Sequence, residues 1–315
     1  MNQRRPMIEL RGLHRFFGTT RAVDNISFEV HRGQVFGYIG PNGAGKTTSM
    51  RILATLDLPN AGDAFVDGFS VVEDPDRVRK RLGFMPDYFT TYPNIDVREY
   101  LDFFARAYHL YGKDRSRAIG RVMSFTGLAA LADKPIQGLS KGMKQRLCLG
   151  RALIHDPPVM ILDEPAAGLD PRARIELREM IRALANEGKA ILISSHILTE
   201  LAEICDIVGI IERGRLIAVG KVDDIQQQDR SPQNLVEVRL VGGVDGLAGW
   251  LTERDGVSGI HADGNTVRFL LRGDEAAEAD VLREMIEHGF RVIAFGARRR
   301  TLEDVFMQVT KGLVQ

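Results

Sequence analysis

Polar and apolar residues alternate from Asn25 to Val30, the period-2 pattern of a half-buried strand, and the first 30 residues as a whole read as strands. Val35–Ile39 is a short apolar run that leads into glycines. The period then lengthens. From Thr47 to Leu56 it is helical, with Met50, Leu53 and Leu56 on one face. Leu82–Pro86 reads as another strand, and a helical pattern runs from Asp96 to about Thr126. Asp96 can cap that pattern, and Glu99, three residues on, can reach back in a capping box. A further helix is predicted over Lys141–Ile154, before the breaker Asp156-Pro157-Pro158. Strand and helix then alternate: Val159–Leu162, a helix over Arg172–Asn186, a strand over Ala190–Ser194, a helix over Ile197–Cys205 and a strand over Ile207–Glu212.

Such alternation predicts an α/β fold with a mostly parallel sheet and helices on its faces. The early strands form its antiparallel β part, and the helical stretch at about 94–154 is an inserted helical subdomain. The polar segment Gln226–Pro232 reads as a linker, placed at 223–234, which divides a domain at 1–222 from one at 235–315. Beyond it the pattern gives a strand (Leu235–Val241), helix (Gly246–Glu253), strand (Val257–Ala262), strand (Thr266–Arg272), helix (Glu275–His288) and strand (Arg291–Phe295), then a last helix over Leu302–Thr310. The first six spell βαββαβ, the order of a small α+β, ferredoxin-like domain.

Composition narrows the classes. A chain of 315 residues suits two domains, and 44% hydrophobic with 27% charged residues supplies a large core. Disordered, collagen-like and disulfide-stapled proteins are excluded. Lys+Arg and Asp+Glu are equal, 42 against 42, which argues against coating nucleic acid through bulk charge, so no nucleic-acid partner is expected. Cys148 and Cys205 stand far apart with no CxxC, so two reduced thiols are expected rather than a zinc site or a disulfide. No apolar run approaches the roughly 18 residues of a membrane span, and the start has no apolar stretch suited to a signal peptide, so a cytoplasmic location is expected.

Gly40-Pro41-Asn42-Gly43-Ala44-Gly45-Lys46-Thr47 fits GxxxxGK[ST] at every position, with an apolar strand before it and a helix, through Thr48, after it. Glycines let consecutive N–H groups turn inward on a phosphate, and the helix N-terminus adds its positive end. Lys46 is expected on the β- and γ-phosphates of ATP and the Thr47 hydroxyl on Mg²⁺. A second motif, Val159-Met160-Ile161-Leu162-Asp163-Glu164, carries two acids out at the end of an apolar strand. Asp163 is expected to hold Mg²⁺, and Glu164 to activate the attacking water.

Between these motifs lies Leu139-Ser140-Lys141-Gly142-Met143-Lys144-Gln145-Arg146. Here the chain resembles the ATP-binding subunit of ABC transporters, whose signature motif ordinarily reads LSGGQ. The resemblance spans roughly residues 7–222 and implies a P-loop NTPase core. It includes Asp170 in Ala167-Gly168-Leu169-Asp170, similar to the D-loop, and His196 after Ser194-Ser195, similar to the switch histidine that positions water at the γ-phosphate. It also places an aromatic beneath adenine at Phe17, although Phe16 could serve instead or either could be core. The resemblance implies that Ser140, Gly142 and Met143 close on the γ-phosphate held by the opposite subunit. A second copy or a sister subunit is then needed, a homodimer by expectation.

Two stretches depart from the family, and in the first the signature reads Ser140-Lys141-Gly142-Met143 in place of Ser-Gly-Gly-Gln. Lys141 replaces a glycine of the signature, either adding positive charge across the dimer or pointing to solvent. Asp87, in Met85-Pro86-Asp87, stands where the family has a glutamine on Mg²⁺, and either still reaches the metal or is a solvent-facing loop acid. The aromatics Tyr88, Phe89 and Tyr92 lie where the family docks its membrane subunit, with core packing as the equal alternative. Thr301-Leu302-Glu303-Asp304-Val305-Phe306 resembles a segment of bacterial exporter ATPases of the ABC-2 and drug-exporter type. Arg298-Arg299-Arg300 just before it could bind anionic lipid or form a solvated basic turn. The resulting expectation is the ATP-hydrolysing subunit of an exporter, held to the inner face of the membrane by permease subunits. The alternative is an ABC ATPase acting on DNA or the ribosome.

Overall fold

A computed structural model describes residues 5–88, 94–197, 201, 203–221, 233–242 and 244–298. The chain divides into two compact units, with the break between Val222 and Asp223.

The first unit opens with β1 (Ile8–Phe17) and β2 (Thr20–Val30), an antiparallel hairpin in the register Ile8↔Val30 to Phe17↔Thr20. β3 (Val35–Ile39) is buried along its whole length and feeds α1 (Lys46–Leu53). β4 (Ala61–Val66) and β5 (Phe69–Ser70) complete a four-stranded antiparallel sheet, β2-β1-β4-β5. Then come α2 (Pro75–Arg81), β6 (Leu82–Met85), α3 (Val97–Ala107), α4 (Gly112–Phe125) and α5 (Lys141–Leu153). β7 (Val159–Leu162), α6 (Pro171–Asn186), β8 (Ala190–Ser195), β9 (Ile207–Glu212) and β10 (Arg215–Lys221) follow.

The second sheet runs β10-β9-β3-β8-β7-β6 among the described residues, parallel throughout except that β10 is antiparallel to β9. β3, β7 and β8 show buried residues at every position, as strands covered on both faces must. The parallel register brings Ile39 level with Ser195, Leu162 with Ile193 and Met85 with Leu162. The residues just past those strand ends therefore gather at one edge of the sheet, where open α/β sheets bind their ligands.

Two predicted helices differ in extent. The helix expected to reach Leu56 stops at Leu53, because Thr55 takes φ 58° and the Leu56 N–H returns 2.8 Å to the Arg51 carbonyl. Leu56 is exposed rather than on the buried face. The pattern from Asp96 to Thr126 is two helices, separated where His109 takes φ 58° and Leu110 N–H closes on Ala105. The capping box forms: Asp96 accepts from Glu99 N–H at 2.8 Å, and Glu99 accepts from Asp96 N–H at 3.0 Å. Of the helix expected over Ile197–Cys205, residues 198–200 and 202 lie outside the described residues.

The second unit contains β11 (Gln233–Leu240), α7 (Asp245–Thr252), β12 (Val257–Asp263), β13 (Thr266–Arg272), α8 (Glu275–Glu287) and β14 (Val292–Arg298). The order is βαββαβ, in an antiparallel sheet β12-β13-β11-β14. Alternate residues Val236, Val238 and Leu240, with Val267, Phe269 and Leu271, face Leu247, Leu251, Val281 and Met285 in a separate core. Gln233 and Asn234, expected in the linker, already belong to β11, whereas 222–232 lie outside the described residues. No described helix is long and apolar enough to cross a membrane.

Candidate nucleotide site and its relatives

Gly40 to Gly45 bridge β3 and α1, packed so closely that side chains are excluded. A Cβ on Gly40 would stand 2.3 Å from the Ile211 carbonyl oxygen. On Gly45, at φ 104°, it would stand 2.1 Å from that of Ala22. β2 and the β9–β10 turn back this loop, for Gly214 N–H donates to Ala44 and Asp24 N–H to Gly214. Lys46 is buried at the start of α1, its Nζ donating 2.6 Å to the Gly40 carbonyl and 3.3 Å to that of Pro41. Thr47 beside it is exposed and Thr48 half-buried.

At the end of β7, Asp163 is buried and accepts a 2.6 Å hydrogen bond from Ser194 Oγ. Ser194 also accepts from the Glu164 N–H at 2.8 Å, so one hydroxyl on β8 braces both acids. Burial raises the Asp163 pKa, the Ser194 and Thr47 hydroxyls pull it back, and the charges of Asp87 and Glu164 raise it further; the net shift is upward. Asp163 Oδ2 and Glu164 Oε1 are buried without hydrogen bonds. Glu164 Oε1 lies 3.4 Å from Lys46 Nζ, and its Oε2 lies 2.8 Å from His196 Nδ1. Lys46, Glu164, His196 and Asp163 are thus drawn together from three strand ends. Ser194 is the residue that sequence reasoning passed over, because its role depends on β8 lying beside β7.

Over 307 residues the chain is 34% identical to the Nod factor export ATP-binding protein I of Ralstonia nicotianae, covering 97% of this chain and 94% of that one. The chain belongs to the ABC transporter ATP-binding proteins. The daunorubicin resistance ATP-binding protein DrrA3 of Streptomyces coeruleorubidus is 34% identical, across 96% of this chain and 95% of its own. The ABC transporter family model matches residues 23–167, and that of the ATP-binding protein DrrA1-3-like C-terminal domain matches 220–310. A solved ATP-binding subunit of an ABC transporter superposes with a TM-score of 0.65 at 31% identity, over 70% of this chain and 92% of that one. These matches favour a transporter ATPase over the DNA or ribosome alternative.

In this ABC ATP-binding protein the signature caps α5. Ser140 Oγ accepts from Met143 N–H at 3.3 Å, and Ser140 is exposed. A Cβ on Gly142 would meet Ala173 of α6 at 3.2 Å. Lys141 is exposed yet lies along Gly168, its Nζ where a Gly168 side chain would begin. Asp170 caps α6 by accepting from Ala173 N–H at 3.0 Å. Among the described residues, no hydrogen bond or ion pair joins residues 140–143 to the phosphate loop of the same chain. Phe17 is half exposed, whereas Phe16 is half-buried beside His14. Asp87 is exposed and near enough to Asp163 to act on its charge. Tyr88 is 64% exposed, which removes core packing as its role; Phe89 and Tyr92 lie outside the described residues, as do Arg299, Arg300 and Thr301–Phe306.

Proposed function

We propose that this ATPase drives an exporter, hydrolysing ATP at a site built from Lys46, Asp163, Glu164 and His196. The observation that carries the reading is Glu164: a carboxylate almost enclosed, held between Lys46 and His196, with one oxygen free of hydrogen bonds. Such a group is placed to accept a proton from water at the γ-phosphate. The ammonium of Lys46 rests on loop carbonyls that triphosphate oxygens can replace, and the amides of Gly40–Thr48 cradle the phosphates. Phe17 offers its ring to adenine.

The Mg²⁺ that travels with ATP neutralises phosphate charge. Thr47, Asp163 and Asp87 are the residues to hold it. The buried, unpartnered Asp163 Oδ2 beside a hydroxyl and a second acid fits a hard cation, and no group of three or more His, Cys, Asp or Glu able to hold a metal occurs among the described residues. Phosphate and water oxygens would supply the rest of its shell, the usual arrangement for Mg²⁺. His196, with Nδ1 on Glu164, keeps Nε2 for the γ-phosphate.

Ser140, Gly142 and Met143, which make no hydrogen bond or ion pair to their own phosphate loop among the described residues, close the site of a second ATP-binding subunit, with Asp170 at the cap of α6. The permease docks at a hollow of about 240 Å³ lined by Leu56, Phe84, Phe104 and Tyr108, next to exposed apolar side chains. Export is supported by relatives named for Nod factor export and daunorubicin resistance. That docking puts the subunit on the inner face of the membrane.

The test is Glu164→Gln. The amide keeps the shape and loses the base, so turnover falls by about 10²-fold or more while ATP affinity stays within about threefold. Light scattering with saturating Mg-ATP then shows a stable dimer. Retained turnover, or monomers under those conditions, overturns the assignment.

A further inference from the structure

Phe17 ends β1 at the tip of a hairpin, with 49% of its surface exposed. Arg15, two residues back on the same face of the strand, places its guanidinium carbon 4.5 Å from the ring centroid. That guanidinium is gripped in turn by Asp57, Nη2 to Oδ1 at 2.7 Å and Nε to Oδ2 at 3.3 Å. The Arg15 and Asp57 side chains are only 22% and 19% exposed. Asp57 belongs to the loop that follows α1, and the same loop secures the end of β1 through Asn60. The Asn60 side-chain oxygen accepts the Phe16 N–H at 2.7 Å, and its own N–H donates 2.8 Å to the His14 carbonyl.

We infer that Arg15 and Asp57 are a positioning pair for the nucleotide base. Arg15 occupies one face of Phe17 and fixes the ring plane, so that the other face stands open as the stacking surface for adenine. The inference rests on the reading of Phe17 as the base platform. A planar guanidinium stacks on an aromatic face more readily than an ammonium does, and a carboxylate fork fixes its orientation. A ring held in advance loses less freedom when the base arrives. Asp57 hangs beyond the C-terminal end of α1, whose N-terminal end carries Lys46 and the phosphate loop. Base platform and phosphate cradle are therefore tied to opposite ends of one helix, about 12 Å long at 1.5 Å per residue.

The test uses the full chain, calorimetric ATP affinity, steady-state kinetics, and inorganic tripolyphosphate as a probe of the phosphate loop alone. Arg15→Ala raises Kd and KM for ATP about three- to tenfold, changes kcat less than about twofold and leaves tripolyphosphate affinity unchanged. Asp57→Asn acts in the same direction, and the double variant is no worse than Arg15→Ala, because the two side chains act as one unit. Phe17→Ala loses at least as much as Arg15→Ala, and adding Arg15→Ala to it costs nothing more. If Phe17→Ala weakens ATP binding and Arg15→Ala does not, the positioning pair is refuted and the platform stands. If Phe17→Ala leaves ATP affinity unchanged, the platform falls and the pair with it. An equal loss of tripolyphosphate affinity in Arg15→Ala marks a general structural role and overturns the inference.

Discussion

Glu164 adopts φ 46°, a conformation that side chains other than glycine rarely take, at a cost on the order of 1 kcal/mol. Its N–H is held by Ser194 Oγ and its carbonyl accepts from Ala167 N–H at 3.1 Å, so the turn is fixed from both sides. The strain sits where the carboxylate has to face Lys46 and His196. Asp87 adds a further negative charge beside Asp163, and the two acids repel until a cation arrives. Removing Asp87 has a defined expected outcome on that account. Asp87→Ala raises the Mg²⁺ concentration for half-maximal turnover several-fold, and weakens Mn²⁺ binding in the presence of ADP, measured by electron paramagnetic resonance. Unchanged Mg²⁺ and Mn²⁺ dependence would make Asp87 a bystander at the loop surface.

Between elements, the contact of α3, α5 and β6 turns on one histidine. His155, just past α5, stacks on Tyr108, just past α3, with ring centroids 3.7 Å apart and planes 7° from parallel. Its Nε2 lies 3.2 Å from the Leu82 carbonyl of β6, so the proton of the neutral ring sits there, and Nδ1 is buried without a partner. Burial lowers its pKa to about 4 from 6.5. Between those values the unfolded chain binds the proton more readily, so stability rises with pH across the window and is lost as pH falls from 6.5 towards 4. From pH 7 to pH 5 this one group costs about 2 kcal/mol. His155→Phe keeps the stack and removes the titration. Urea denaturation at the two pH values then shows a smaller acid loss in the variant than in the parent. Equal losses would mean that the histidine titrates normally.

On the scale of the molecule, each unit has a buried core of its own among the described residues. One joins the antiparallel sheet to the parallel one through Phe28, Phe36, Tyr38 and Met50, and the other lies wholly beyond residue 235. A unit with its own core and a closed strand order carries the means to fold alone. A fragment spanning residues 223–315 is accordingly expected to unfold cooperatively in thermal circular dichroism. A fragment of residues 1–222 is expected to bind ATP within about threefold of the intact chain, since every residue assigned to the nucleotide lies in it. A 223–315 fragment without a cooperative transition would show that the second core depends on the first.

Local chemistry was readable from the chain alone. The phosphate loop is contiguous, so GxxxxGK[ST] and its flanking strand and helix identify it; so are Asp163-Glu164 and the capping box of Asp96 and Glu99. The βαββαβ order of the second unit also follows from periodicity, clearest in β13, whose alternate residues Val267, Phe269 and Leu271 are buried. The breaks after Leu53 and Ala107 leave no mark in the pattern, since Thr55 and His109 take a positive φ that their residue types do not announce. β4, β5, α2 and β10 were missed as well, being short or weakly patterned. What only the tertiary structure decided is who stands beside whom. Ser194 braces Asp163 and Glu164 from 30 or so residues away because β8 lies in parallel register beside β7. Ala22 and Gly214 close the back of the phosphate loop, and Asp57 reaches Arg15 across 42 positions of chain. Sequence records which groups can react or pair, whereas sheet register and helix ends set the distances at which they do.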